Sequence, residues 1–575
     1  MSSIDMMYED CCNDICAQYC NQYPLDRRQI ASELHEAVRK RIRFENGILS
    51  RKEQYPFPSK LTPYMVAKLI KGLDHVALIN RTTTPQNNRD SLEGLYLAAY
   101  EDDKTNPRFG LYSMKKIESL ARAYRFDLSE TEMREVYAHL RYLCSDEIRE
   151  LTRDDNLVAV NNGIFNLKTQ QLNDFNADSV FLVKTQIDYV YNATNPILKD
   201  PEGNDWDVVS WIAEIANHEP ELERLLWEVI SAAVRPTHCF DKVVYFFSAQ
   251  GANGKSTFAE MLKALIPYAS INLSQLSKNF GLSGLDSPVG LIISDENSVD
   301  QELKNLTNIK ALATHDTVTV ECKYKNAYQM NYMGLLVQTV NSIPKVKDNS
   351  NSFLRRLMIV PFKRSYQGKE NRLIKKEYVH RKEVLEFVLN QALKLDFDAF
   401  HVPAQCEIMN EEFMDTNNDV YAFFKDVNEQ LSWDLVPNDF LFQVYVGWMN
   451  KYMPGESKKG KNKFLEELRN ILGKFEDWEI ISNRYPTAGC RFGYEPLIAE
   501  YNLYKDWGDE SMVGDNKVAA CRPINIPTSV GGIRRKTRQK SGNALPDKGN
   551  PFSDSWSDTE KKTSDDSVDG ESPRD

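Results

Sequence analysis

Residues 242–257 read KVVYFFSAQGANGKST, and few folds accommodate such a stretch. Lys242–Phe247 is short, apolar and rich in β-branched and aromatic residues, the composition of a buried strand. Ser248–Gly254 is a loop of small residues, and Ser256 opens an amphipathic helix with Phe258, Met261, Leu262 and Leu265 on one face. Strand, glycine loop and helix in that order form a phosphate cradle. Loop N–H groups and the helix N-terminus point at the anion, and the helix dipole favours negative charge there. Lys255 is placed to reach β- and γ-phosphates, and the Ser256 hydroxyl to ligate Mg²⁺. The candidate nucleotide site is Gly251, Ala252, Asn253, Gly254, Lys255, Ser256 and Thr257. One position departs from the G-x-x-x-x-G-K-[ST] pattern: Ala249 stands where Gly is usual, and Gly251 is the expected source of backbone freedom. The bland alternative is a Gly/Asn turn between a core strand and a helix.

Downstream segments weigh against that alternative. Leu291–Ser294 reads as a second buried strand, with Asp295 and Glu296 at its C-terminal end. A nucleotide motor needs one carboxylate for the Mg²⁺ shell and one to orient or deprotonate the attacking water. Asp295 fits the first role and Glu296 the second. A third strand, Gly334–Val340, ends at Asn341, a polar side chain suited to the γ-phosphate or its water. Arg355 and Arg356 then precede a further apolar strand, Leu357–Phe362.

The segments GANGKST, IISDEN, LLVQTVNSIP and DNSNSFLRRLMIVPF, all within residues 251–362, resemble the superfamily 3 helicases, in particular the phage/plasmid primase–helicase branch. The resemblance implies an AAA+-like α/β core. It implies a ring, usually a hexamer, that hydrolyses ATP with Mg²⁺ and moves along single-stranded or forked DNA during replication of a phage, plasmid or similar element. It makes Lys255 and Ser256 the Walker A residues, Asp295 and Glu296 the Walker B pair, and Asn341 the sensor. Arg356, or its neighbour Arg355, becomes the arginine finger that reaches the next subunit's nucleotide, with Arg356 preferred. A primase or another replication protein is an implied partner.

Residues 314–332 (THDTVTVECKYKNAYQMNY) lie between the second and third strands. Thr317–Glu321 alternates like a strand, CKYKN reads as a turn and Ala327–Met330 returns. Lys323, Tyr324 and Lys325 occupy the tip, and two cations around an aromatic suit backbone tracking and base stacking. In superfamily 3 a hairpin at this place grips DNA in the central channel, and the match implies that role here; a solvated turn is the alternative.

The rest of the chain is read around this core. At 575 residues several domains are expected. The net charge of −12 is not that of a typical nucleic-acid binder, but local patches set the field at a channel. With no signal peptide and no long apolar span, a soluble protein in the host cytoplasm is expected, away from membranes. Cys11, Cys12, Cys16 and Cys20 cluster in CCNDICAQYC, and a packed helix face is favoured over a metal site. Residues 1–150 read as a mainly helical accessory region. Residues 151–235 read as a hairpin around Asn162-Gly163 plus a helical collar, 236–365 as the motor and 366–418 as a helical lid or connector. Residues 419–519 resemble the winged-helix-like module of the same branch, and CRFGYEPL is its expected strand material. The run Lys458–Lys463 reads equally as a phosphate contact or an exposed loop. Residues 520–575 are too polar to order and read as a disordered tail. Two other functions fit the same motifs: a DNA translocase or packaging motor, and an ATP-gated origin-binding or loading ring with slow turnover.

Overall fold

The computed structural model describes residues 3–83, 94–278, 280–294, 297, 302–303, 305–323, 326–346, 351–368, 371–490, 492–508 and 526–536. The chain divides into two compact units, Met1–Glu429 and Gln430–Asp575.

Five helices shape the N-terminal part: Ser3–Tyr19, Arg27–Asn46, Pro63–Leu73, Met114–Tyr124 and Glu130–Leu143. The last begins with a reciprocal cap, in which the Ser129 hydroxyl accepts from the Glu132 N–H and the Glu132 carboxylate accepts from Ser129. The region is mainly helical, as expected, but these helices also pack with a four-stranded sheet that the sequence did not announce. Its order is Tyr112–Ser113, Tyr96–Tyr100, Val76–Asn80, Ile148–Glu150, antiparallel except for the last, parallel pair. Val76–Asn80 is buried at every position, so it lacks the alternation that marks a half-exposed strand. The cysteine cluster packs only in part, and Cys20 lies beyond the end of the first helix. Cys11 and Cys12 are buried, Cys16 is half-buried and Cys20 exposed. Burial pushes the Cys12 thiol up to about 12, the reverse of what a thiolate ligand needs.

Residues 157–173 form a three-stranded meander, Leu157–Val160, Gly163–Asn166 and Gln171–Asn173. The first turn is Asn161-Asn162, one residue earlier than expected, because Val160 pairs with Gly163. Gly163 serves the third strand instead: a Cβ there would meet the Asn173 carbonyl at 2.4 Å. The helices Val208–Ile215 and Pro220–Val234 follow.

The central sheet has five strands in the order Tyr268–Ser270, Leu291–Ser294, Leu335–Val340, Val243–Phe247, Leu357–Pro361, and every pairing is parallel. Alternate residues of one strand enter different cores: Val244 and Phe246 join Phe258, Met261 and Leu262, whereas Val243 and Tyr245 join Ile309, Leu312 and Phe353. Coverage on both faces explains the unbroken apolar runs of these strands. It also places the loops after Phe247, Ser294 and Val340 side by side along one edge, where ligands of parallel sheets bind. Thr317–Val320 and Tyr328–Asn331 pair antiparallel as the expected hairpin. Helices Arg372–Lys376, Lys382–Lys394, Ala404–Asn417 and Asp419–Val427 complete the first unit.

The second compact unit thus starts at Gln430, after the Asp419–Val427 helix expected to open it. Helices Asn438–Tyr452 and Lys461–Ile471 pack with an antiparallel sheet in the order Leu435–Pro437, Ser529–Arg535, Trp478–Pro486. Among the described residues of CRFGYEPL only Tyr494 makes a single bridge, and Pro496–Glu500 is helical. Part of the expected tail is instead the central strand of this sheet. Val530 and Ile533 are buried, Arg534 pairs with Glu479, and Arg535 stacks on Trp478 at 4.5 Å. Gly532 permits the close approach, since a Cβ there would meet the Val436 carbonyl at 2.0 Å. Within Lys458–Lys463, Lys459 pairs with Glu467 and Lys461 with Asp439.

Candidate nucleotide site

The loop after Val243–Phe247 turns sharply into the helix Lys255–Leu265. Gly254 caps that helix at φ +88°, and Ala252 lies at φ +54°. The left-handed freedom is therefore at Ala252 and Gly254, whereas Gly251, the expected source, has no positive φ. Ala249 in place of Gly is tolerated for the same reason. Gly254 is also sterically confined: a Cβ would approach Ile215 Cγ2 at 2.9 Å.

The N–H groups of Gly251, Ala252, Asn253 and Gly254 find no acceptor among the described residues, so the loop presents a row of donors. Its shape is held from outside. The Tyr366 N–H donates to the Ala252 carbonyl at 2.7 Å. Asn253, buried, donates its side-chain amide to the Gln250 carbonyl and accepts from the Lys255 N–H at 3.3 Å. An unpaired donor row at a helix N-terminus fits a polyphosphate.

Lys255 is 7% exposed. Its ammonium donates to the carbonyls of Ser248 and Val340, each at 3.1 Å, and to Asn341 Oδ1 at 2.6 Å. The strand order brings this about: Val243–Phe247 and Leu335–Val340 are neighbours, so Lys255 reaches across to the residue ending the adjacent strand. All three acceptors are neutral, and burial lowers the Lys255 pKa to about 8. A bound phosphate would reverse that shift by supplying negative charge. Ser256 is exposed and Thr257 half-buried on the first turn, so the Ser256 hydroxyl is available to a cation beside the phosphates.

Asp295 and Glu296 lie outside the described residues, as do Tyr324 and Lys325. The residues around the acidic pair are clear. Ser294 ends its strand in register with Gln338, on the same edge as Asn341. Asn297 then fastens the chain: it accepts from the Leu273 N–H at 2.9 Å and donates to Gln338 Oε1 at 3.1 Å and to the Thr339 carbonyl at 2.9 Å. Lys323 is exposed beside the hairpin tip.

Arg356 sits at the opposite edge of the sheet, where its carbonyl accepts from the Val243 N–H at 2.7 Å. Its guanidinium donates to Asp241 at 2.9 Å and to the Ser352 carbonyl, and its side chain is 12% exposed. Arg355 is exposed and makes no ion pair with any described residue. Arg356, preferred as the residue reaching a neighbour, is thus engaged within its own chain, whereas Arg355 is exposed. Asn297, Tyr366 and Asp241 were not singled out in the sequence, because each acts on a partner distant in the chain.

Residues 75–229 match the D5 N terminal like family, residues 415–493 the Poxvirus D5 protein-like family, and residues 246–356 a family of unknown function, DUF5906. A protein of Acanthamoeba polyphaga mimivirus named "Putative helicase L207/L206" is 21% identical over 224 residues, which are 37% of this chain and 22% of that protein. The chain is thus similar to D5-type proteins over two separate segments, and to a protein named a helicase over about a third of its length, 37%. It spans only about a fifth of that mimivirus relative, 22% of its length. Two solved structures of the NrS-1 C terminal region, one of them its A form apo structure, align at 12% and 13% identity over 52% of this chain and 77% of theirs, with TM-scores of 0.32 and 0.31. In sequence the two D5-type matches lie before and after the segment that carries Lys255, which itself matches the family of unknown function. Among the described residues no helix is long and apolar enough to cross a membrane.

Proposed function

We propose that this chain is an AAA+-type, ATP-driven helicase subunit of DNA replication that assembles into a ring on single-stranded or forked DNA. The observation that carries the reading is the Lys255–Asn341 contact of 2.6 Å beneath an unpaired row of loop donors. In this reading Lys255 is the Walker A lysine and Asn341 the sensor on the neighbouring strand. The D5-type family matches support the same class.

In this reading the loop N–H groups from Gly251 to Gly254 bind the β- and γ-phosphates. Lys255 exchanges its carbonyl partners for phosphate oxygens. Ser256 and Asp295 would hold Mg²⁺, which would supply neutralising charge beside the phosphates. Glu296 orients the attacking water, and Asn297 fixes the segment that carries both acids. Asn341, released by Lys255, faces the γ-phosphate. Catalysis is then positioning and charge stabilisation in a site shared by two subunits, with Arg355 supplied by the next one. Lys323, Tyr324 and Lys325 grip the strand, and the second unit serves as the winged-helix-like module. A hexamer and a host-cytoplasmic location complete the proposal.

The lysine gives a pH signature. Lys255 must be protonated to pair with phosphate, and its pKa near 8 in the free protein rises when the phosphate binds. Below pH 8 the charge is already present. Above it, each binding event takes up a proton, so ATP affinity should fall by up to ~10-fold per pH unit until the pKa of the complex is reached. Calorimetry in buffers of different ionisation heat at pH 9 should report that uptake. Flat affinity from pH 7 to 10 would sink the assignment. The function itself is tested by ATP-dependent separation of a forked duplex.

A further inference from the structure

The base of the hairpin is fastened to the N-terminal sheet. The Asn331 N–H donates to the Arg81 carbonyl at 2.8 Å, and Asn331 Oδ1 accepts from the Thr83 N–H at 2.9 Å. The Arg81 side chain is 6% exposed and lies between two rings, 4.9 Å from Tyr96 and 4.4 Å from Tyr328. Its Nε has no hydrogen-bond partner among the described residues. A buried guanidinium with an orphaned donor is costly unless something else completes it.

Arg81 lines a cleft of about 590 Å³ between the N-terminal sheet and the hairpin. The described lining carries four cations, Arg81, Arg108, Lys115 and Arg141, against two carboxylates, Glu118 and Asp286. Glu118 is already paired with Arg122. Arg108 and Lys115 are exposed and make no ion pair with any described residue. Lys115 stands in the first turn of Met114–Tyr124, where the helix dipole disfavours a cation. The next residue, Lys116, is compensated by Glu101 at 2.6 Å and Asp102 at 2.7 Å; Lys115 has no such compensation. Tyr137 adds an aromatic face to the same wall.

We propose that this cleft binds a nucleotide unit of single-stranded nucleic acid and passes the strand to the adjoining hairpin. Arg108 and Lys115 contact phosphate, Arg81 completes its hydrogen bonding on the strand, and Tyr137 stacks on a base. Cations that follow a backbone beside a ring that takes any base are the chemistry of sequence-tolerant single-strand binding. The proposal rests on the function above for the identity of the partner and for the hairpin as the next contact; it needs neither ATP nor a ring.

The test is fluorescence anisotropy of labelled oligothymidylate with the full chain, without nucleotide and across a salt series. Arg108→Ala with Lys115→Ala, both at exposed positions, should weaken binding and reduce the slope of log K against log salt by ~1.4, two phosphate contacts at ~0.7 each. Tyr137→Leu keeps apolar bulk and removes the ring, so it should weaken binding with the slope unchanged. Wild-type affinity and slope in all variants would overturn the proposal. Displacement of the oligonucleotide by thymidine triphosphate, lost in the same variants, would overturn it in favour of a mononucleotide pocket. Equal binding of a duplex of the same length, with the same sensitivity, would overturn the single-strand assignment. ATP hydrolysis by the wild-type chain, measured separately, distinguishes failure here from failure of the motor.

Discussion

Lys255→Ala is expected to abolish ATP hydrolysis while leaving the fold nearly as stable as before. Two effects on stability oppose each other. The substitution removes three hydrogen bonds, to Ser248, Val340 and Asn341, each contributing about 0.5–1.5 kcal/mol net. It also relieves the burial of an ammonium whose described partners are all neutral, the burial that lowers its pKa to about 8. These contributions largely cancel. The catalytic effect has no compensation, because no other loop residue carries positive charge. Losing one preorganised charge from a transition state typically costs ~10²–10³-fold in rate, and a Walker lysine should cost at least that. Steady-state phosphate release and a thermal melt on the same sample check both parts. Near wild-type hydrolysis in a folded variant would remove Lys255 from the site.

The second large effect is expected at Arg355. An arginine finger acts on a neighbour's nucleotide and can contribute ~10³–10⁵-fold in rate. Rings made only of Arg355→Ala, or only of Lys255→Ala, should both be inactive. Mixed rings contain interfaces that take Lys255 from one variant and Arg355 from the other, so mixing two inactive proteins should restore part of the activity. Absence of recovery in rings shown to be mixed would argue against a shared site. Arg356→Ala should differ. It breaks the pair with Asp241, which is 48% exposed, so a stability loss of only about 0.5–1 kcal/mol is expected, without complementation in trans. If Arg356→Ala complements Lys255→Ala and Arg355→Ala does not, the finger is Arg356 and its pairing with Asp241 must break on assembly.

These predictions divide according to what local sequence reveals. The strand, loop and helix around Lys255 were legible because each signal lies within a few residues: an apolar run, small residues, then Phe258, Met261, Leu262 and Leu265, all fully buried. The pairing of Thr317–Val320 with Tyr328–Asn331 was legible for the same reason. The choice within Arg355-Arg356 was not, because Asp241 lies 115 residues away in sequence. Gly251 looked like the flexible position because glycine usually supplies positive φ, yet Ala252 takes that conformation here, with its carbonyl held by the Tyr366 N–H. The strand Ser529–Arg535 was hidden by Gly-Gly and a basic run. Both make sense only beside the Val436 carbonyl, Glu479 and Trp478. The strand Val76–Asn80 of the N-terminal sheet was hidden by burial at every position, which erases the period of two.

The central claim is that ATP turnover at Lys255 drives strand separation, and one measurement addresses it directly. A forked duplex labelled on one strand is incubated with the full chain and Mg²⁺, with ATP, with a non-hydrolysable ATP analogue, or with ATP and Lys255→Ala. The account predicts strand release with ATP and wild-type chain alone, accompanied by hydrolysis that single-stranded DNA accelerates. Rapid DNA-stimulated hydrolysis without strand release would contradict it in favour of a translocase. Slow hydrolysis indifferent to DNA, with the fork left intact, would contradict it in favour of an ATP-gated loading ring.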